Sequence, residues 1–379
     1  LRWVAVGMAA FLVNMSTQGV LLGLQRHAIR NLIEISSLVL RVGVVVVLFA
    51  LNGPSLEYLG VGFLAATLLR LSASLGVLHR VAPELKVRPV AISWTRFKEL
   101  LSFGSHSLLW VATKRAIQET GPVIAMLLFG PVMATYLYLG TRLANAVGGL
   151  IITGGTVFIP LASSMTAGDD QANMRGVFLR ATRFCALLAL SGGACLVLFG
   201  QPVLDVWVGP GYEFAYTVLV IVTASMVIPW AFQAADGMFK GMRLLRPLTL
   251  LSLSQLVVVL VVAPLLGWIA GPTWFVVGLF APIAVTFVAW MPAMASRHLD
   301  VDVGTLVRES VPGPLLVAGV VAVCGLGLQH IWTPDHVVVL VLECAAVLVV
   351  FATLTLLIGL DQRSRDVAWG WLRSRRPAG

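Results

Sequence analysis

Residues 247–268, PLTLLSLSQLVVVLVVAPLLGW, contain no ionisable side chain. Coiled into a helix they would run about 33 Å, enough to cross a hydrocarbon layer about 30 Å thick. In lipid every backbone N–H and C=O must be satisfied internally, which leaves helices and closed barrels as the spanning forms. Barrel strands alternate apolar and polar residues over about ten positions, and this run does not alternate. Comparable runs recur at about 3–24, 31–51, 56–78, 100–128, 131–161, 178–200, 215–238, 273–294, 311–329 and 337–360, eleven in all. With 59% hydrophobic and 11% charged residues, the chain reads as an all-α polytopic membrane protein and not as a soluble domain.

Charge is sorted by loop. The segments 25–30, 79–99, 162–177 with the adjoining helix start, 239–246, 295–310 and 361–379 hold twenty of the 26 Lys and Arg. The segments at the opposite helix ends, 52–55, 129–130, 201–214, 269–272 and 330–336, hold none. Positive-inside bias then places the C-terminus in the cytoplasm and, with eleven spans, residue 1 outside. The basic balance, +9 overall, follows this membrane pattern and does not point to nucleic acid.

Cys185, Cys195, Cys324 and Cys344 lie inside apolar runs without ligand spacing, and the six His are scattered. No metal site, cofactor motif or catalytic constellation is expected from them. The loops are short, which argues against an enzyme such as an integral-membrane glycosyltransferase, polymerase or ligase.

Five cations break the pattern: Arg41, Arg70, Lys114, Arg115 and Arg142 fall within the spans. A bare Arg or Lys at mid-bilayer costs about 2.5–3.5 kcal/mol on insertion scales. Two readings stand for each. Internal pairing and snorkelling account for some: Arg115 and Glu119 are spaced i, i+4, and Arg41 shares a face with Glu34. Two nearby acids against five cations leave an excess of positive charge, which a water-filled cavity would tolerate and an anion would neutralise; guanidinium groups bind pyrophosphate oxygens in bidentate fashion. For Arg142, beside Asn145, a helix-packing hydrogen bond is the alternative. Glu119 is either the partner of Arg115 or an acceptor for a coupling proton or cation. Asn14, Ser16, Thr17 and Gln18 line a cavity or bridge helices, and Gln233 and Asp236 are weaker candidates of the same kind.

Shifted by 218 positions, residues 23–66 match 241–284 at 11 of 44 places, including Gly53-Pro54 on Gly271-Pro272 and Gly60 on Gly278. The repeats are parallel. Helices at 100–200 should then have partners before Leu1, so roughly a hundred residues, or three helices, are expected upstream; the apolar start itself, without a basic n-region or a small-residue cleavage site, does not read as a signal peptide. The expected organisation is 1–90 as the rest of an N-terminal lobe, 91–300 as a six-helix C-terminal lobe, and 301–379 as a helix pair with a basic cytoplasmic tail.

Four stretches, LLGLQRHAIRNLIEISSLVLRVGVVVVLF (21–49), FGPVMATYLYLGTRLANAVGGLI (129–151), VFIPLASSM (157–165) and VLDVWVGPGYEFAYTVLVI (203–221), together with the helix order, resemble the multidrug, oligosaccharidyl-lipid and polysaccharide exporter superfamily. Within it the likeness is to bacterial polysaccharide and O-antigen flippases. The resemblance implies a fourteen-helix, two-lobe fold around a central cavity, of which eleven helices fall in this chain. It also implies a bacterial inner-membrane transporter that flips a polyprenyl-pyrophosphate-linked oligosaccharide outward by alternating access, with H⁺ or Na⁺ as a possible coupling ion. Arg41, Arg70, Lys114, Arg115 and Arg142 are the expected substrate-binding cations, and Glu119 and Glu34 the coupling or ion-pairing acids. Rival readings within the superfamily are a lipid II flippase and a cation-coupled drug carrier; the positive interior argues against the latter.

Overall fold

A computed structural model describes residues 2–24, 26–82, 93–168, 171–331 and 337–355. The described residues form α-helices and connecting turns. In chain order these are α1 (Arg2–Gly23), α2 (His27–Asn52), α3 (Leu56–Val81), α4 (Trp94–Phe129), α5 (Pro131–Gly155), α6 (Phe158–Ala167) and α7 (Gln171–Trp207). There follow α8 (Glu213–Ala231), α9 (Gln233–Gly241), α10 (Leu245–Ala270), α11 (Pro272–Leu299), α12 (Val303–Ser310), α13 (Pro312–Ile331) and α14 (Val337–Leu354). The expected tail, 361–379, lies outside the described residues.

Among the described residues nine helical stretches are long and apolar enough to cross a membrane. The other two expected spans differ in composition and length: α4 carries the KRAIQE charges, and the apolar part of α14 is the shorter Leu342–Leu354. Large apolar side chains face outward, Leu56 at 86%, Trp268 at 83% and Leu127 at 78% exposed. Such a surface belongs in lipid, and the protein is a multi-pass membrane protein.

Two expected continuous spans are broken. The run at 131–161 divides at Thr156 and Val157 into α5 and α6, and that at 215–238 divides at Phe232 into α8 and α9. A proline lies close to each break. Pro160 sits at the third position of α6, where an N–H would lack an intrahelical acceptor in any case, and Pro229 withdraws a hydrogen bond from the last turn of α8.

The chain divides into two compact units, residues 1–98 and 99–379. In the first, α3 is the centre, with α1 and α2 both packed along it. Gly62 permits the close approach of α3 to α2: a Cβ there would stand 2.6 Å from Val45 Cγ2 and 3.2 Å from the Arg41 carbonyl oxygen. Gln18 Nε2 donates to Ser74 Oγ at 2.9 Å, tying α1 to α3, so this member of the 14–18 polar cluster bridges helices. Thr17 Oγ1 instead donates within its own helix to the Asn14 carbonyl, 2.8 Å away.

In the second unit α8 packs against α5, α7 and α11, α10 lies along α11, and α13 and α14 pack on α7. The core runs through Leu137, Phe178, Leu219, Phe239, Phe275 and Met291, all nearly or fully buried. Among the described residues, polar links between helices include Gln255 Nε2 donating to Thr286 Oγ1 (2.9 Å) and Gln329 Nε2 to the Leu198 carbonyl (2.8 Å).

The sequence repeat has a structural counterpart. Both ends of α10 fall 218 positions after those of α2. Gly53 (φ 78°, ψ 170°) and Gly271 (φ 89°, ψ −171°) end those helices in the same way. Gly130, between α4 and α5, repeats the geometry at φ 87°, ψ 175°, again before a proline. This region of backbone space is essentially restricted to glycine, and the following proline pre-sets the dihedral of the next helix start.

Candidate functional site

In the first unit the embedded cations lie on α2 and α3. Arg70, half-buried, donates from Nε (3.2 Å) and Nη2 (2.9 Å) to Ser37 Oγ on α2. Ser37 in turn donates to the Glu34 carbonyl at 2.7 Å. One buried hydroxyl thus fixes the guanidinium, and among the described residues its Nη1 makes no hydrogen bond. Arg41 is exposed, with its guanidinium carbon 5.7 Å from the centroid of Phe63. Glu34 and Arg41 form no ion pair. They share a face, but seven residues of helix separate them by about 10 Å along the axis.

In the second unit α4 brings Trp110 and Lys114 toward α9 and α11. The Lys114 ammonium lies 5.3 Å from the ring centroid of Phe287 on α11. It is half-buried and feels the opposing charges of Asp236 and Lys240 on α9. Asp236 and Lys240 form an i, i+4 salt bridge with side chains only 10% and 18% exposed, and the Lys240 ammonium sits 3.8 Å from the Trp110 ring centroid. Gln233 Nε2 reaches the same carboxylate oxygen at 3.5 Å. The cluster holds two ammonium groups and one carboxylate, and among the described residues Lys114 has no salt bridge.

Glycines place this cluster. Gly237 and Gly241, each next in sequence to one of the charged pair, face the other way: a Cβ at Gly237 would run into the Gly155 carbonyl oxygen, and one at Gly241 into that of Ile159. Backbone-to-backbone contact of α9 with α5 and α6 leaves the neighbouring charged side chains directed at α4. Lys240, counted in the sequence as a loop cation, is therefore a member of the site, and Asp236 is its counter-ion. The D-x-x-x-K spacing was the available signal.

The remaining expected residues lie apart from that cluster. Arg115 and Glu119 meet at 4.0 Å on α4 with side chains 72% and 76% exposed. Arg142 is exposed on α5 and, among the described residues, has no hydrogen bond, to Asn145 or otherwise.

A family model described as "Polysaccharide biosynthesis protein" matches residues 24–217. No curated protein matches the chain. Among solved structures it is similar to one titled "Lipid II flippase MurJ, inward closed conformation", with 11% identity and a TM-score of 0.55 over 83% of this chain. The chain spans 65% of that protein's length, and at this identity the likeness is one of fold.

Proposed function

We propose, for a chain that belongs to the polysaccharide biosynthesis protein family, that it flips a polyprenyl-pyrophosphate-linked oligosaccharide from the cytoplasmic to the outer face of a bacterial inner membrane. The observation that carries this reading is Lys114: an ammonium half-buried in a membrane protein, with the Asp236 carboxylate whose charge it feels already bridged to Lys240. A cation so placed favours an anionic guest. A diphosphate supplies several acceptor oxygens, and its glycan and polyprenyl parts would occupy aqueous and lipid surroundings respectively. Arg70, whose Ser37 contact leaves one terminal nitrogen available, is a second contributor, with Arg41, Arg115 and Arg142 as further cations along the route. Glu119 and Glu34 are the acids available for coupling to H⁺ or Na⁺. Alternating access of two lobes is the mechanism, and the basic loops, with the C-terminus, face the cytoplasm. A transporter has no bond to make or break here.

Lys114→Gln with Arg115→Gln tests the reading. In cells dependent on this protein, the double variant should be present in the membrane at normal level while export of the lipid-linked glycan is lost. Normal export by that variant would overturn the role of the pair.

The fold shared with a protein titled lipid II flippase favours a second cargo of the same chemistry. Reconstituted flipping of lipid II against an undecaprenyl-linked oligosaccharide without peptide separates the two.

A further inference from the structure

Apart from the Lys114 cluster, the second unit contains a cavity of about 620 Å³ where α7 meets α12 and the start of α13. Arg180 and Arg183 on α7 and Arg308 on α12 line it, with Thr305, Glu309 and Gly313. Arg180 and Arg183 are spaced i, i+3 and so lie on one face of α7. Three guanidinium groups against one carboxylate make it cationic. Gly313 leaves the room that one of them needs: a Cβ there would stand 2.9 Å from Arg183 Nη2.

The edge of this cavity is apolar. On α12, Val303 and Val307 are 47% and 51% exposed, and Val311, Leu315 and Leu316 continue an exposed apolar surface into α13. The spacing i, i+4, i+8 sets the three valines in one stripe. Leu306, on another side of α12, is buried. Asp302 caps the helix by accepting from the Gly304 N–H at 2.8 Å. This eight-residue amphipathic helix thus presents Arg308 and Thr305 to a cationic cavity and valines to the outside. A soluble anion would use the arginines and leave the apolar stripe without a role. A phosphate-bearing lipid uses both, its headgroup against the guanidinium fork and its acyl chains along the valines.

We infer that the α7–α12–α13 cavity is a binding site for the phosphate headgroup of an anionic membrane phospholipid, separate from the transport cations. The shared chemistry, a phosphate on arginines, also admits free phosphate, so the test carries both. The purified full chain is titrated with phosphatidylglycerol, with phosphatidylcholine and with inorganic phosphate, and bound adducts are counted by native mass spectrometry. Phosphatidylglycerol should bind at least fivefold more tightly than phosphatidylcholine, with millimolar phosphate failing to displace it. Arg180→Gln with Arg308→Gln should remove that preference. Arg246→Gln with Arg297→Gln, which deletes equal charge at two exposed positions elsewhere, should leave affinity within twofold. Should the first pair fail to fold, Arg308→Gln alone, at an exposed position, should weaken binding at least twofold and Glu309→Gln should strengthen it. Equal loss in both double variants would assign the effect to bulk charge and overturn the site. Full displacement by phosphate would overturn the lipid assignment, and unchanged binding in the Arg180/Arg308 variant, or in Arg308→Gln if that variant stands in for it, would overturn the site.

Discussion

Lys114 and Arg115 are adjacent in sequence and about 100° apart around α4, which gives them different surroundings. Arg115 points outward to Glu119, an exposed pair at 4.0 Å, whereas Lys114 is half-buried beside Phe287 near Asp236 and Lys240. A charge-assisted hydrogen bond to a phosphate oxygen is worth about 1.5–3 kcal/mol, or roughly tenfold and more in affinity. Lys114→Gln alone should therefore lower reconstituted flipping by about tenfold or more. Arg115→Gln, which removes an exposed pair worth about 0–1 kcal/mol, should change it by less than about fivefold. Asp236 is the residue on which the cluster's stability depends. Asp236→Asn leaves the mostly buried Lys240 without its counter-charge and is expected to cost about 3 kcal/mol, seen as a fall in the thermal midpoint. Adding Lys240→Met should restore most of that loss, because a buried pair exchanged for an apolar contact is close to neutral.

At the scale of elements, glycine acts in two distinct ways, and two substitutions separate them. Gly237 has a negative-φ helical backbone and is required by contact: α9 rests on the carbonyl of Gly155. Gly237→Ala must move backbone, not a flexible side-chain end, so a loss of about 1–3 kcal/mol is expected together with reduced transport, since Asp236 and Lys240 shift with α9. Gly130 meets nothing within 4 Å, and its requirement is conformational, φ 87° before Pro131. Gly130→Ala should cost about 1–3 kcal/mol in thermal stability while leaving the α9 cluster, and hence the apparent affinity for cargo, unchanged. Comparing the midpoint with the transport KM of each variant checks the distinction.

At the scale of the molecule, the loop charges predict which side each turn faces. An alkaline phosphatase fused into the turn at 208–211 should be active outside the cytoplasm, and one fused at Asp300 inactive; the reverse pattern would invert the proposed direction of transport. The membrane class, the helix order and the Gly-Pro repeat were legible in the chain because they rest on local physics: helix length against bilayer thickness, and a backbone conformation open to one residue type. The pairing of Arg115 with Glu119 was legible for the same reason, an i, i+4 spacing. Tertiary packing decided what joins residues far apart in sequence. Two expected spans became helix pairs, and the break at Phe232 made α9 a helix separate from α8. Gly237 and Gly241 then seated α9 so that Lys240 and Asp236, over a hundred residues after Trp110, meet α4, and Arg308 came to share a cavity with Arg180. The sequence by itself determined that five cations stand inside apolar runs, where a bare charge facing lipid would carry an insertion cost. Which of them meet a counter-charge and which do not depended on distances between helices, which one-dimensional spacing does not contain.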